Sequence, residues 1–522
     1  MTNTPPAGEA ATLAPTRLGL SVADELILPS VRLRREHALP LLGVAVLLGL
    51  LTDALFWHAT LGVNVPLWLG TGVVAVLVAG RRMGAALRRD RVAMLVAALA
   101  CAAVFAWRDA APLLLLNLTG CAILFAFALA VPRRRDARAP GFVAACVSCL
   151  SVAAASITSP FRLGERISWA SAGTANARAA SAIPARALLI GVPAFLVFAL
   201  LFVAADAVFA KEVGNLIAVD IGRFVPHVAW FVAGAWLAVT ALWSAIAVEP
   251  PPEIATDLPR PRRLRATEVA VILGPLVPLF TLFVIVQVRY LFGGAALVER
   301  SVDLTYAEYA RRGFFELVMA AMLLLPLLTG VNWARRADAK TKTAFLVLSG
   351  ALVALMFVIM LSAWQRLAMY RATFGLTELR FYTAATLPWL AAIFLWLAIA
   401  VVRDRPRWFF PGMVWASFIA LGMLDVINPD ALIARTNAGE LASRRPFDAA
   451  YVASLSQDAV PPLLDRFEAL PAAGRCELAA SLLPRLQDDD GLRGWNFARQ
   501  QARAAIDAHR GALERACEAP RT

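Results

Sequence analysis

Long uninterrupted apolar runs dominate this chain. About 20 consecutive apolar residues cross a bilayer core. Runs of about that length fall at 39–56, 63–79, 92–106, 110–131, 187–205, 228–248, 269–292, 314–333, 344–367, 382–402 and 408–427. A barrel strand would alternate every second residue, so continuous runs predict helices. The pattern predicts an all-α polytopic integral membrane protein with eleven or twelve transmembrane helices. The twelfth stretch, 142–158, is the weakest, because Ser148, Ser151, Ser156 and Thr158 dilute it. Residues 1–37 are polar, and the first apolar run is too long for a signal peptide and lacks a small-residue cleavage site. A signal anchor is expected there.

The segments then divide the chain. Residues 1–37 form a polar N-terminal segment, 38–427 a transmembrane bundle, and 428–522 a soluble helical C-terminal domain. That tail carries 12 Arg against 13 Asp and Glu and has no run long enough to span. Pro461, Pro462, Pro471 and Pro484 punctuate short helical patterns within it. From Gly491 onward one longer helix is predicted, with Trp495, Phe497, Ala502, Ile506 and Leu513 as its apolar members.

Composition agrees with the pattern. Of 522 residues, 60% are hydrophobic and 17% charged, with a mean hydropathy of +0.67. Soluble domains are nearer half apolar and a quarter charged. Six cysteines in this length exclude a disulfide-stapled scaffold. The net charge of +13 would suggest nucleic acid in a soluble chain, but here the basic residues sit in short loops. No nucleic-acid partner is expected.

Those loops orient the chain, since Lys and Arg are retained on the cytoplasmic side. Rich loops hold Arg81, Arg82, Arg88, Arg89 and Arg91, then Arg133–Arg135 and Arg138, then Arg260, Arg262, Arg263 and Arg265. Arg335, Arg336, Lys340 and Lys342 follow, then Arg403, Arg405 and Arg407. The loops between are poorer: none at 57–62, and Arg108 alone in the next. Alternation of rich and poor loops fits eleven crossings, with 142–158 interfacial or re-entrant. The N-terminus is then cytoplasmic and the tail extracytoplasmic.

Candidate chemistry is sparse. No phosphate loop, His-Glu-x-x-His or Gly-x-Ser-x-Gly occurs. His37, His58, His227 and His509 are scattered, so no metal and no cofactor is expected. Cys146 and Cys149 lie in an Ala-rich apolar run and read as small buried hydrophobes. The outer loop Trp57–Leu61 is too short, and lacks the paired acids, for a glycosyltransferase using lipid-linked sugar.

The most specific local feature runs from Ser301 to Leu317. Thr305 and Glu308 form a capping box. Tyr306, Tyr309, Gly313 and Glu316 then share one helical stripe, and Glu308 and Arg312 pair on another. Glu316 lies about three turns into that helix and needs a cation, Arg289 or Arg366. Two readings stand: a polar site at the outer mouth of the bundle, or a Tyr belt with one ion pair. Asp206, Arg366 and Tyr370 lie on the same outer side, as do Asp425, Asn428 and Asp430. Gly274-Pro-Leu-Val-Pro278 should kink its helix, and Gly375 is a natural helix stop. Asp53 is an intramembrane acid, either snorkelling at a helix end or functional. Cys476 and Cys517 are the two cysteines outside apolar runs. They are either a disulfide in an oxidising compartment or two independent helix cysteines.

Five segments together resemble one bacterial family. They are Leu201–Ala210, Leu304–Leu317, Met369–Arg380, Asn428–Asn437 and Leu455-Ser-Gln-Asp-Ala-Val-Pro461. The chain resembles, over about residues 185–510, the multi-pass membrane family filed as domain of unknown function 4173, which is related to 4153. That resemblance implies no reaction, substrate or catalytic residue. The expectation is therefore a non-enzymatic protein with a transport-like or envelope sensing or scaffold role. Its partners would be membrane lipid and an envelope protein or small solute. The alternative is a membrane-embedded enzyme acting on lipid or lipid-linked substrate, with Glu308, Glu316, Asp206 and Arg366 as its acid/base and anion-holding groups. A transporter should show charges at the midplane, and few are present.

Overall fold

The computed structural model describes residues 35–82, 89–130, 156, 195, 198, 202, 205–206, 221–246, 263–287, 314–405, 408–439, 447–487 and 491–517. Among them the protein is helical. The membrane part comprises α1 (Arg35–Phe56), α2 (Asn64–Arg82), α3 (Arg89–Ala103), α4 (Ala111–Ala130), α5 (Ile221–Ile246) and α6 (Ala266–Leu273). It continues with α7 (Phe314–Ala334), α8 (Ala339–Phe374), α9 (Glu378–Val402) and α10 (Phe409–Ile427). Among the described residues eight helices are long and apolar enough to cross a membrane, counting α6 with its continuation to Gln287, and the Pro40–Phe56 stretch of α1 is a shorter apolar one. The expected kink at Gly274-Pro275 is a two-residue break after α6, where Pro275 has no N–H to continue the ladder.

Two packed groups and one close helix pair organise the bundle. α6–α9 bury Phe345, Leu352, Met356, Leu390, Ile393 and Phe394 between them. α2, α3 and α4 pack around Leu69, Leu95, Ala98 and Leu124, with Phe418 and Leu421 of α10 against them. α1 and α5 run antiparallel: Asp53 meets His227, Thr52 meets Gly234, and Leu41 and Ala45 pack with Ala238 and Leu242. Lipid supplies no hydrophobic drive between helices, so close approach of small residues must do the work. At Gly49 an added Cβ would lie 2.8 Å from the Phe231 carbonyl oxygen. At Gly234 it would overlap the Thr52 side chain. Thr52 cannot yield, because its hydroxyl donates to Leu48 O at 2.7 Å and accepts from Trp68 Nε1 at 2.6 Å.

Asp53, the intramembrane acid of α1, is not left to snorkel. His227 Nδ1 lies 2.8 and 2.9 Å from its two oxygens, and Trp57 packs on the imidazole with ring centroids 3.9 Å apart.

α8 is longer than the expected 344–367 run. Its 36 residues extend about 54 Å at 1.5 Å per residue, well beyond a ~30 Å hydrocarbon core. Gly375, with φ of 75°, stops it, and an L side chain would be strained there.

The two ends of the bundle differ in charge. At one end Leu264 pairs with the α7–α8 loop through Leu264 N–H to Ala334 O and Arg336 N–H to Leu264 O. Arg335 and Lys342 reach Asp404 at 3.2 and 3.0 Å. The hydrogen bond from Lys342 and the nearby guanidinium hold the Asp404 carboxyl below its ordinary range. At the other end lie the loops 57–63, 104–110 and 375–377, and there the tail docks.

The tail is built from α11 (Pro429–Gly439), α12 (Ala449–Ala453), α13 (Val460–Leu464), α14 (Ala472–Leu482), α15 (Phe497–Ala508) and α16 (Arg510–Arg515). They bury Ile433, Val452, Leu463, Phe467, Leu478, Leu482, Ala502, Ile506 and Leu513 together with Leu376 of the α8–α9 loop. Asn437 completes that joint by donating to Leu376 O at 2.9 Å and accepting from Leu376 N–H at 3.1 Å. The single helix expected from Gly491 is corrected. Residues 491–496 are a loop, Asn496 caps α15 by accepting from Arg499 N–H, and a break at His509 separates α16. Ala502, Ile506 and Leu513 are buried as their spacing requires, whereas Trp495 belongs to the loop. Cys476 and Cys517 are joined by a disulfide with Cα atoms 4.6 Å apart.

Gly234→Leu should weaken the α1–α5 joint by overpacking, by about 1–3 kcal/mol. The midpoint of thermal unfolding in micelles should fall. Gly43→Ala, on the same helix pair but with nothing within 4 Å of its added Cβ, should leave the midpoint in place.

Candidate functional site

Where tail meets bundle, four strictly local features deliver polar groups to one point. The short α3–α4 loop presents Arg108 and Asp109. α4 carries Asn117 nearly two turns in. α10 ends with Asp425, and Asn428 takes the left-handed conformation (φ 56°) that separates α10 from α11. Asn tolerates that conformation better than most residues. The tail adds Asp430, Asp458, Asn496 and Arg499.

Asp458 is the hub, with its side chain 1% exposed. Its Oδ1 accepts from Arg108 Nη1 at 3.3 Å and Asn428 Nδ2 at 3.0 Å, and its Oδ2 from Asp109 N–H at 2.7 Å. Arg108 also donates through Nε to Asp425 O at 2.8 Å and stacks 4.0 Å over Trp107. A second clamp lies beside the first. Asp109 Oδ1 meets Arg499 Nη1 at 2.6 Å, and Asn496 Nδ2 donates to Phe105 O at 2.7 Å and Arg108 O at 2.8 Å. Apart from the Asn428 contact and the Arg108–Trp107 stack, every one of these links joins residues more than 300 positions apart.

Burial dominates the electrostatics. It pushes the Asp458 carboxyl up, against the pull of the Asp109 N–H and the Arg108 guanidinium. It pushes Asp430 up as well. Asp430 is fully buried; its Oδ2 accepts from Ser456 N–H at 3.1 Å, and its Oδ1 has no hydrogen-bond partner. The Tyr451 hydroxyl, which accepts from Glu378 N–H at 2.8 Å, is raised to about 12 by its burial.

Asp425 turns away from this network. Its Oδ1 accepts from Asn117 Nδ2 at 2.7 Å, and the residue lines a cavity of about 320 Å³ between α3 and α10. Ala100, Ala103, Val104, Phe418 and Leu421 form apolar walls around it. A buried carboxylate beside such a cavity can accept a hydrogen bond or hold a cation. Among the described residues no cluster of His, Cys, Asp and Glu could hold a metal ion.

The residues expected to form the outer polar cluster fare differently. Asp206 is exposed. Tyr370 is buried on α8, its hydroxyl accepting from Arg380 Nη2 at 3.2 Å under a guanidinium 4.4 Å from its ring. Arg366 lies one turn earlier on the same helix. Arg289, Tyr306, Glu308, Tyr309 and Arg312 lie outside the described residues, as does the Glu316 side chain. Reasoning from sequence missed Arg108, Asp109, Asn117, Asp458, Asn496 and Arg499 as site residues. One signal was available: Asp458 sits inside Leu455–Pro461, among the most distinctive segments of the tail.

Fold and junction together define a class: a polytopic α-helical membrane protein with a helical tail clamped to one end of its bundle. The chain belongs to the family described as Domain of unknown function (DUF4153), whose model matches residues 93–465. This is the relative of the family that the motifs resembled, and its match begins well before residue 185 and stops before α14. No curated protein and no solved structure matches the chain.

Asp458→Ala should leave Arg108 buried without its counter-ion, at a cost of about 3–5 kcal/mol. The readout is loss of thermal stability and new protease cuts in the tail. Raised carboxyls stabilise the fold while protonated, and that contribution is lost as pH rises through their folded values. The unfolding midpoint should therefore fall as pH climbs from just above the ordinary carboxylate range towards neutrality. Asp430→Asn should flatten part of that fall, measured by differential scanning in nanodiscs.

Proposed function

We propose that this is a non-enzymatic protein of the bacterial cytoplasmic membrane, acting as an envelope sensor or scaffold through an extracytoplasmic tail. In this reading 1–37 is cytoplasmic, 38–427 crosses eleven times, and 428–522 is the outward domain. The observation that carries it is the segregation of charge. Arg81, Arg82, Arg89, Arg335, Arg336, Lys340, Lys342, Arg403 and Arg405 gather at one end, the tail docks at the other, and basic loops stay inside. Antiparallel contact of α1 and α5 supports the count. An odd number of passages between Ala130 and Ile221 returns the chain to the tail's end, and the apolar run 187–205 is long enough for one. A re-entrant 142–158 is compatible with Ser156 O accepting from Trp236 Nε1 at 2.7 Å, halfway along α5.

The Cys476–Cys517 disulfide supports the same side, since such bonds persist in oxidising compartments. It closes 41 residues of sequence, a loop whose closure is worth about 4 kcal/mol in the chain-entropy account. That is a large share of the stability of so small a domain. The partners in this reading are membrane lipid and an envelope protein or small solute. The Asp425 cavity favours the second reading, an enzyme acting on lipid or lipid-linked substrate.

Alkaline phosphatase and a cytoplasm-only fluorescent protein, each fused after Thr522, test the orientation. Active phosphatase and a dark fluorescent fusion are expected; the reverse overturns it. Thiol labelling of membranes, with Cys101, Cys121, Cys146 and Cys149 changed to Ala, should modify the tail only after reduction. Labelling without reductant would remove the disulfide as support.

A further inference from the structure

The loop Gly491-Leu-Arg-Gly-Trp-Asn-Phe497 leaves three large apolar side chains outside: Leu492 is 92% exposed, Trp495 39% and Phe497 40%. Large apolar side chains grouped this way on the surface mark an interaction site. The tail has a core close by, around Ala502 and Ile506, and these side chains do not enter it.

Where the loop sits identifies what it meets. Val63 N–H donates to Trp495 O at 2.9 Å and Asn64 N–H to Arg493 O at 3.1 Å, so the loop runs edge to edge with the α1–α2 connection. Arg493 Nη1 reaches Ala54 O at 2.7 Å, inside the last turn of the apolar Pro40–Phe56 stretch. Arg499 Nη2 ties Leu61 O to Gly494 O, at 2.8 and 2.6 Å. The approach is so close that a Cβ at Gly62 would overlap the Gly494 carbonyl. These bonds hold the loop beside the end of the apolar stretch of α1 and the start of α2. Leu61 and Leu67, on the connection and first turns of α2, are exposed as well. Trp, Phe and Leu beside an Arg are the residues that settle at a bilayer interface.

We propose that residues 491–497 form a lip that inserts Leu492, Trp495 and Phe497 into the adjacent lipid leaflet, seating the tail sideways on the membrane. The lip needs only the tail's place at this end of the bundle. It holds whichever side of the membrane that end faces, so its failure and that of the topology are separable.

The test uses the full chain with Cys101, Cys121, Cys146 and Cys149 changed to Ala and the tail disulfide kept. Leu492→Cys carries an environment-sensitive fluorophore, in vesicles of phosphatidylglycerol and phosphatidylethanolamine. Glu468→Cys is the comparison, because that exposed side chain pairs with Arg475 of the tail itself. The label at 492 should emit to the blue of the one at 468. Phospholipid spin-labelled near the head of its acyl chain should quench it several-fold more, and aqueous iodide several-fold less. Elution of both proteins at the wild-type volume controls for folding, since 492 is a surface position. Equal iodide quenching at the two sites overturns the lip. So does protection of 492 from both quenchers, which would indicate a protein partner or a second copy over the loop. Phe497→Cys, labelled in the same way, must give the same result as 492.

Discussion

The structure turns on the desolvation of one carboxylate. Asp458 is carried by the tail yet sealed against the ends of α3 and α10, where an isolated charge would cost several kcal/mol. Three donors offset part of that cost, while burial still holds the carboxyl above its ordinary range: Arg108, Asn428 and the Asp109 N–H. Arg108 and Asp109 come from one loop and Asn428 from the turn between α10 and α11, so neither segment can shift without stranding the other. Truncating one partner of such a network is far worse than never having built it. The tail is therefore held by geometry at the junction as much as by apolar area.

The bundle below obeys a different rule. Between membrane helices there is no water to expel, and packing and hydrogen bonds decide contact. Gly49 and Gly234 let α1 and α5 approach until Thr52 fills the space between them. Thr52 then serves as acceptor for Trp68, which brings α2 to the same joint. The Asp53–His227 contact lies one turn away, so a polar pair and a small-residue seam support each other. The same close approach recurs at Gly412 against the Trp396 indole, whose Nε1 donates to Trp408 O at 3.0 Å and draws the start of α10 against α9.

The tail's core is shared as well. Leu376 belongs to the α8–α9 loop by sequence but is buried among tail residues, and Tyr451 of the tail accepts from the first backbone N–H of α9. Leu376 carries that core, with Phe381 packed against it, across the compositional boundary at residue 428. The polar amide of Asn437, satisfied by both backbone groups of Leu376, locks that shared corner in one register.

Much of this was legible in the residues alone. Continuous apolar runs specify helices because backbone groups in lipid must be satisfied within one segment. Gly375 acts through its own backbone freedom and the Gly274-Pro275 break through the proline's missing N–H, so both read directly. So did the apolar stripe of Ala502, Ile506 and Leu513. Two things did not read. Asn496 ended the longer helix expected from Gly491, because its side chain is needed both as a cap and as a donor to Phe105 and Arg108 on the bundle. The Arg108–Asp458 and Asp109–Arg499 pairs join positions 350 and 390 residues apart. Local pattern determined which segments are helical and which face lipid, since periodicity and hydropathy act over a few turns. Only the tertiary structure decided which charges meet, because that depends on where distant helix ends stop.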